Sequence, residues 1–168
     1  MNHGWISETA GLHRGKRWFM KFLFINGKPQ QQHLKDLVDQ VPALNLRNGQ
    51  IKLSMMTPGT IVRPHAGPTN ARLRVHCVLH NDVKSKSYIR VGNKIQHWNK
   101  EDNPCFVFRE SCEHEVYIDP NAKSNRIILI VDFANPYLLS FESYLSVLND
   151  NVDVSAARET YSGYHSEL

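Results

Sequence analysis

The segment Ala71-Arg72-Leu73-Arg74-Val75-His76-Cys77-Val78-Leu79 holds the densest chemistry in the sequence. Its alternation of polar with apolar residues predicts a β-strand, in which successive side chains point to opposite faces. Arg72, Arg74 and His76 then share one face, and Leu73, Val75 and Cys77 share the other. Two dispositions follow. With the apolar face on a core, the basic face lies exposed on an outer sheet. If the sheet instead curls around a pocket, two guanidiniums and an imidazole point inward and require anions, preferably carboxylates gripped bidentately. Spacing alone leaves both open.

Upstream, Pro58-Gly59-Thr60 and Arg63-Pro64-His65-Ala66-Gly67-Pro68-Thr69-Asn70 read as a turn-rich loop that delivers His65 to the mouth of that strand. A second histidine, His114, lies in Cys112-Glu113-His114-Glu115-Val116, and Arg126 opens the apolar strand Ile127 to Val131. The chain has 9 histidines, and His3, His13, His33, His80, His97 and His165 read as surface residues. His65 and His114 stand apart through their company. Two imidazoles, an Arg-Arg-His strand face and a further arginine at a strand start would suit an iron held beside a dicarboxylate cosubstrate.

These residues must be placed by strands. Trp18 to Ile25 reads as an aromatic-rich strand closed by the turn dipeptide Asn26-Gly27. Leu34, Leu37, Val38 and Val41 recur at helical spacing before Pro42. The segments Ile51 to Met56, Ala71 to Leu79, Tyr88 to Val91, Cys105 to Phe108, Glu115 to Ile118 and Arg126 to Phe133 follow as short strands between turn signals. Leu138, Phe141, Leu145 and Leu148 again follow helical spacing, and the residues from Asn149 are polar. A run of strands flanked by a helix on each side predicts a mainly β fold, an antiparallel sandwich, barrel or jelly roll.

The chain has 168 residues, near the roughly 150 typical of one domain, and no repeat or linker divides it. One domain over residues 1–168 is expected, with a core at about 18–136 and a C-terminal helix and tail over 137–168. A net charge of +4, with 21% charged and 41% hydrophobic residues, excludes disorder, collagen and coiled coil. The longest basic cluster, His13-Arg14-Gly15-Lys16-Arg17, lacks interleaved stacking aromatics, so no nucleic-acid partner is expected. The longest aliphatic run, Ile127 to Val131, is far short of the roughly 20 residues of a membrane span. Met1-Asn2-His3-Gly4-Trp5 does not open a secretion signal, and the chain has no Asn-x-Ser/Thr sequon, so a cytoplasmic location is expected. Cys77, Cys105 and Cys112 cannot all pair, and an odd, irregular set suits a reducing compartment.

The string Gln50-Ile51-Lys52-Leu53-Ser54-Met55-Met56-Thr57-Pro58-Gly59-Thr60, then Pro64-His65-Ala66-Gly67-Pro68-Thr69-Asn70-Ala71-Arg72-Leu73-Arg74-Val75-His76, closely resembles the aspartyl/asparaginyl β-hydroxylase family of Fe(II)- and 2-oxoglutarate-dependent oxygenases. Glu113-His114-Glu115-Val116 and Arg126 through Asp132 resemble it too, and the likeness runs from about Trp18 to Pro136. The resemblance implies a double-stranded β-helix, a jelly roll related to the cupins, and a reaction using O2 and 2-oxoglutarate that yields succinate and CO2. It implies a peptide or protein substrate containing Asp or Asn. Matched position by position, it implies iron held by His65 and His114, with Gly67 where the wider group has an acid, so that water would occupy the vacated place. It assigns Ser54 and Arg126 to the distal carboxylate of 2-oxoglutarate, Arg74 and His76 to the metal-proximal end, and Trp18 to the pocket wall. Arg72 with Arg74 matches the pair that would grip the substrate side chain.

Phe108-Arg109-Glu110-Ser111-Cys112-Glu113 departs from the family, which usually carries two aspartates followed by serine and an aromatic before the second histidine. Arg109 and Glu110 change the local charge around His114. The loop cysteines of the secretory-pathway relatives are missing between Gly27 and Gly49. A shorter peptide, or a free or carrier-bound amino acid, then becomes a candidate substrate. Lipid A hydroxylases on the same fold, and a non-catalytic binding domain, are the competing readings.

Overall fold

The computed structural model describes residues 4–8, 11–26, 28–36, 49–82, 84–98, 101 and 104–135. The strands among them are β1 (Ile6–Ser7), β2 (His13–Arg14), β3 (Trp18–Ile25), β4 (Lys28–Pro29), β5 (Gln50–Met56), β6 (Ile61–His65), β7 (Arg72–His80), β8 (Tyr88–Val91), β9 (Lys94–His97), β10 (Cys105–Arg109), β11 (His114–Tyr117) and β12 (Arg126–Ala134). They form two antiparallel sheets. The larger has the order β1-β3-β5-β12-β7-β10, with β4 beside β3, and the smaller has β2-β6-β11-β8-β9. The mainly β, jelly-roll expectation holds.

The strands alternate as half-buried strands must. On β7 and β12 the buried positions fall at every second residue: Arg72, Arg74, His76 and Val78, then Arg126, Ile128, Ile130 and Asp132. Their apolar members meet Val62, Ile89, Val116 and Ile118 in one core cluster that joins both sheets. Ile89 and Ile128, each with 0% exposure, contribute about 1.5–3 kcal/mol apiece by burial. The basic face of β7 therefore turns inward, which settles the choice that spacing left open.

β6 was not expected as a strand, because Arg63-Pro64 reads as a turn. The register explains how it forms. His114 pairs with His65 and Val116 with Val62, so β6 carries one extra residue over that stretch. Pro64 sits in this irregular stretch, where a missing N–H costs little. β9 was also missed, since Lys94-Ile95-Gln96-His97 lacks β-branched alternation and becomes a strand by pairing with β8. Of the predicted helices, only a 3-10 turn at Gln32–Leu34 is seen, running into helical Lys35 and Asp36. The rest of the first helix and all of the Leu138–Leu148 helix lie outside the described residues.

Cys77 and Cys105, 28 residues apart, are brought face to face by the β7–β10 register and form a disulfide, leaving Cys112 free and exposed. The odd, irregular cysteine set suited a reducing compartment, and the pair was not foreseen because strand register is not visible in cysteine spacing. No helix among the described residues is long and apolar enough to cross a membrane.

Candidate active site

The inner faces of β5, β6, β7, β11 and β12 enclose one cavity. His65 ends β6 and His114 begins β11, so pairing of these two strands sets their rings side by side, with centroids 4.2 Å apart. Each ring is oriented by the carbonyl two residues before it. His65 Nδ1 donates to Arg63 O at 2.8 Å, and His114 Nδ1 donates to Cys112 O at 2.9 Å. A carbonyl only accepts, so Nδ1 carries a proton in both rings and Nε2 is the nitrogen left to serve as a ligand. Burial, followed by the neighbouring His65, pushes the His114 pKa down to about 4, so its imidazole is neutral at pH 7. Two imidazoles, each fixed through its Nδ1, are the donor set that suits a first-row divalent metal. Among the described residues no third His, Cys, Asp or Glu joins them.

The cavity also holds a set of cations. Arg126 is 1% exposed, with its guanidinium 4.4 Å from the ring centre of Trp98. Its Nη2 donates to Ser54 Oγ at 3.3 Å, while Nε and Nη1 have no hydrogen-bond partner among the described residues. Burial lowers its pKa to about 9. Trp18 Nε1 also donates to Ser54 Oγ, at 3.0 Å. Accepting two bonds fills both lone pairs of that oxygen and leaves its O–H proton for an incoming acceptor. His76, with Nδ1 unpartnered, is held neutral by burial and by the charges of Arg126 and Arg74, which push its pKa well down. Buried donors without partners cost free energy unless an anion enters, so this arrangement fits a carboxylate.

Arg72 and Arg74 lie on the same strand face and are already paired. Arg74 donates Nε and Nη2 to the two oxygens of Asp132 at 2.7 and 2.8 Å, and Nη1 to Glu110. Arg72 Nε donates to Glu110 Oε2 at 2.6 Å. Burial opposes the charge of Arg74, yet Asp132 and then Glu110 raise its pKa. Lys52, also on the cavity wall, is pushed down to about 8 by burial and then by Arg74.

The structure thus brings Trp18, Ser54, His65, Arg74, His76, His114 and Arg126 to one cavity, with Arg72 beside it at the start of β7. Sequence reasoning passed over Lys52 and Asp132. The signal was present in strand period: Lys52 shares a face with Ser54, and Asp132 shares one with Arg126. Glu110 was noted only as a charge change. A Cβ at Gly67 would lie 2.5 Å from Glu110 Cγ, so the space that a side chain there would take is filled by Glu110.

The family model for aspartyl/asparaginyl beta-hydroxylase matches residues 3–136. The human aspartyl/asparaginyl beta-hydroxylase is 37% identical over 140 residues, 79% of this chain and 18% of that protein. An ornithine lipid ester-linked acyl 2-hydroxylase of Rhizobium tropici is 29% identical over 137 residues, 77% of this chain and 46% of that protein. The chain therefore spans less than half the length of either relative. Among solved structures, a predicted oxalate decarboxylase from Thermotoga maritima shares the fold at a TM-score of 0.50 and 13% identity, covering 78% of this chain and 90% of its own. With the family match running from before β1 through β12, across both histidines and the arginines of the cavity, this chain belongs to the aspartyl/asparaginyl beta-hydroxylase family.

Proposed function

We propose that this chain is an Fe(II)- and 2-oxoglutarate-dependent oxygenase that hydroxylates the β-carbon of an Asp or Asn residue in a peptide or protein. One observation carries the reading: the fully buried Arg126, with two guanidinium nitrogens lacking a partner among the described residues, lines the same cavity as the paired rings of His65 and His114. A site with a cation in need of an anion and a pair of metal-type imidazoles fits a dicarboxylate held beside a metal. When bound, iron and 2-oxoglutarate would supply the oxidation, consuming O2 and releasing CO2 and succinate as one oxygen atom enters a substrate C–H bond.

The chain's own residues bind, orient and exclude water. His65 and His114 would hold the metal through Nε2, their rings already fixed by backbone carbonyls. Arg126 and the Ser54 hydroxyl would hold the distal carboxylate, and Trp18 fixes Ser54 for that task. Arg74 and His76 would stand at the metal-proximal end, and Arg72 with Arg74 would meet the substrate side chain. Met56, Val62, Val116, Ile128 and Ile130 wall the cavity with apolar surface and keep competing water out. Holding the reacting C–H bond in one place is the protein's share of the rate.

The experiment is conversion of 2-oxoglutarate to succinate by iron-loaded protein in air, with panels of Asn- and Asp-containing peptides. Peptide-stimulated turnover, with one atom from 18O-labelled O2 in the peptide, supports the reading; no turnover with iron under any condition contradicts it. An acyl chain of an amino-acid-containing lipid is a second reading, carried by the Rhizobium relative, and belongs in the same panel.

A further inference from the structure

Arg72 and Arg74 are the cations this fold would offer an acidic side chain, and both already hold carboxylates. Glu110, 6% exposed, takes Arg72 Nε and Nη2 on Oε2 and Arg74 Nη1 on Oε1. Asp132 takes the other edge of Arg74. Two guanidiniums face two carboxylates, so both arginine charges are compensated before any substrate arrives, with Lys52 beside them on the cavity wall. Gly67 keeps it so. The Gly67 N–H donates to Glu110 O at 2.7 Å, and the Glu110 side chain lies across the glycine where a Cβ would collide with its Cγ.

A carboxylate brought against this cluster offers only acceptors and is repelled by the like charge of Glu110, with Asp132 fully buried behind Arg74. A primary amide instead presents N–H donors to a carboxylate and an acceptor to a guanidinium, matching both members of an Arg–Glu edge. It also carries no charge to strip of water. We infer, on the reading that the chain is a side-chain hydroxylase, that Glu110 sets its specificity: the site takes asparagine in preference to aspartate. The discrimination comes from repulsion of the acid as much as from attraction of the amide.

The test uses the full chain loaded with Mn(II) and 2-oxoglutarate without oxygen, and two probes, N-acetyl-asparagine methylamide and N-acetyl-aspartate methylamide. Relaxation of the probe β-protons by Mn(II) reports binding near the metal. The wild type binds the amide roughly tenfold or more tightly. Glu110→Gln levels or reverses that ratio, and Glu110→Asp, which keeps the charge, retains it. Thermal melts show whether each variant is folded, and if Glu110→Gln is not, the wild type and Glu110→Asp carry the comparison. Equal binding, preference for the acid, binding of neither probe, or an unchanged ratio in folded Glu110→Gln overturns the inference. The hydroxylase reading is judged separately by 2-oxoglutarate consumption, so amide selection without turnover sinks that reading and not this one.

Discussion

His65 and His114 are direct partners across the β6–β11 ladder, and each donates its Nδ1 proton to the carbonyl two residues earlier in the chain. The same local device, used twice, fixes two imidazole rings on neighbouring strands through their Nδ1 atoms. Substituting either histidine by alanine should weaken Mn(II) or Co(II) binding on the order of a hundredfold, and substituting both should abolish it. Electron paramagnetic resonance of free Mn(II) reads this directly. Unchanged binding in the double variant would place the metal elsewhere.

Arg126 makes a prediction of opposite signs. Its buried charge has no carboxylate partner among the described residues, so Arg126→Met should raise the melting temperature of the ligand-free protein. The same change removes charge-assisted bonds of about 1.5–3 kcal/mol to a bound dicarboxylate and should weaken 2-oxoglutarate binding by one to two orders of magnitude. Calorimetry and melting curves on one sample check both. A variant that is less stable with unaltered 2-oxoglutarate affinity would show Arg126 to be structural.

Asp132 anchors Arg74 by two parallel bonds inside the larger sheet. Asp132→Asn leaves part of a buried guanidinium charge uncompensated and should cost about 3–5 kcal/mol in denaturant unfolding. A cost under 1 kcal/mol would mean that Glu110 alone suffices for both arginines.

Acid should destabilise the metal-free protein in a defined window. His114 is held neutral to about pH 4, and His76 is also depressed, while both have the ordinary value near 6.5 when unfolded. Between pH 6.5 and 4 the unfolded chain binds more protons than the folded one, so stability rises with pH there and is lost as pH falls. For His114 the full effect is about 3 kcal/mol. Urea midpoints measured in chelator at pH 7, 6, 5 and 4.5 should decline steadily. A flat profile would show that the imidazoles are solvated in the folded state.

Gly67 should resist an acid despite its place two residues after His65. A side chain there meets Glu110 Cγ, and Glu110 is pinned by two arginines, so Gly67→Asp should lower stability by about 1–3 kcal/mol. Adding Glu110→Ala opens the space and should recover part of the loss. Equal melting temperatures for wild type and Gly67→Asp would contradict this packing.

Strand period carried much of this architecture into the sequence. Arg72, Arg74 and His76 on β7 were legible because they alternate with apolar neighbours, and Arg126 to Phe133 on β12 because an aliphatic run lies between turn signals. Whether the basic face pointed inward was not legible, since that depends on Asp132 arriving from β12 and Glu110 from the turn after β10. β6 was hidden by Pro64, whose cost is absorbed by a bulge that only the His65–His114 register reveals. The Cys77–Cys105 pairing was hidden for the same reason: register, not spacing, brings the two together. Titration with Ellman's reagent in denaturant should count one thiol before reduction and three after.

The most direct test of the central claim compares wild type with Arg126→Met in iron-loaded turnover of 2-oxoglutarate, following succinate and the 18O content of Asn and Asp peptides. The account predicts metal-dependent succinate release, peptide-stimulated and matched by one incorporated oxygen atom, that falls about ten- to a hundredfold in the variant at low 2-oxoglutarate and recovers in part at high concentration. Succinate release indifferent to Arg126, or a wild type that binds iron and 2-oxoglutarate yet hydroxylates no peptide in the panel, would contradict it.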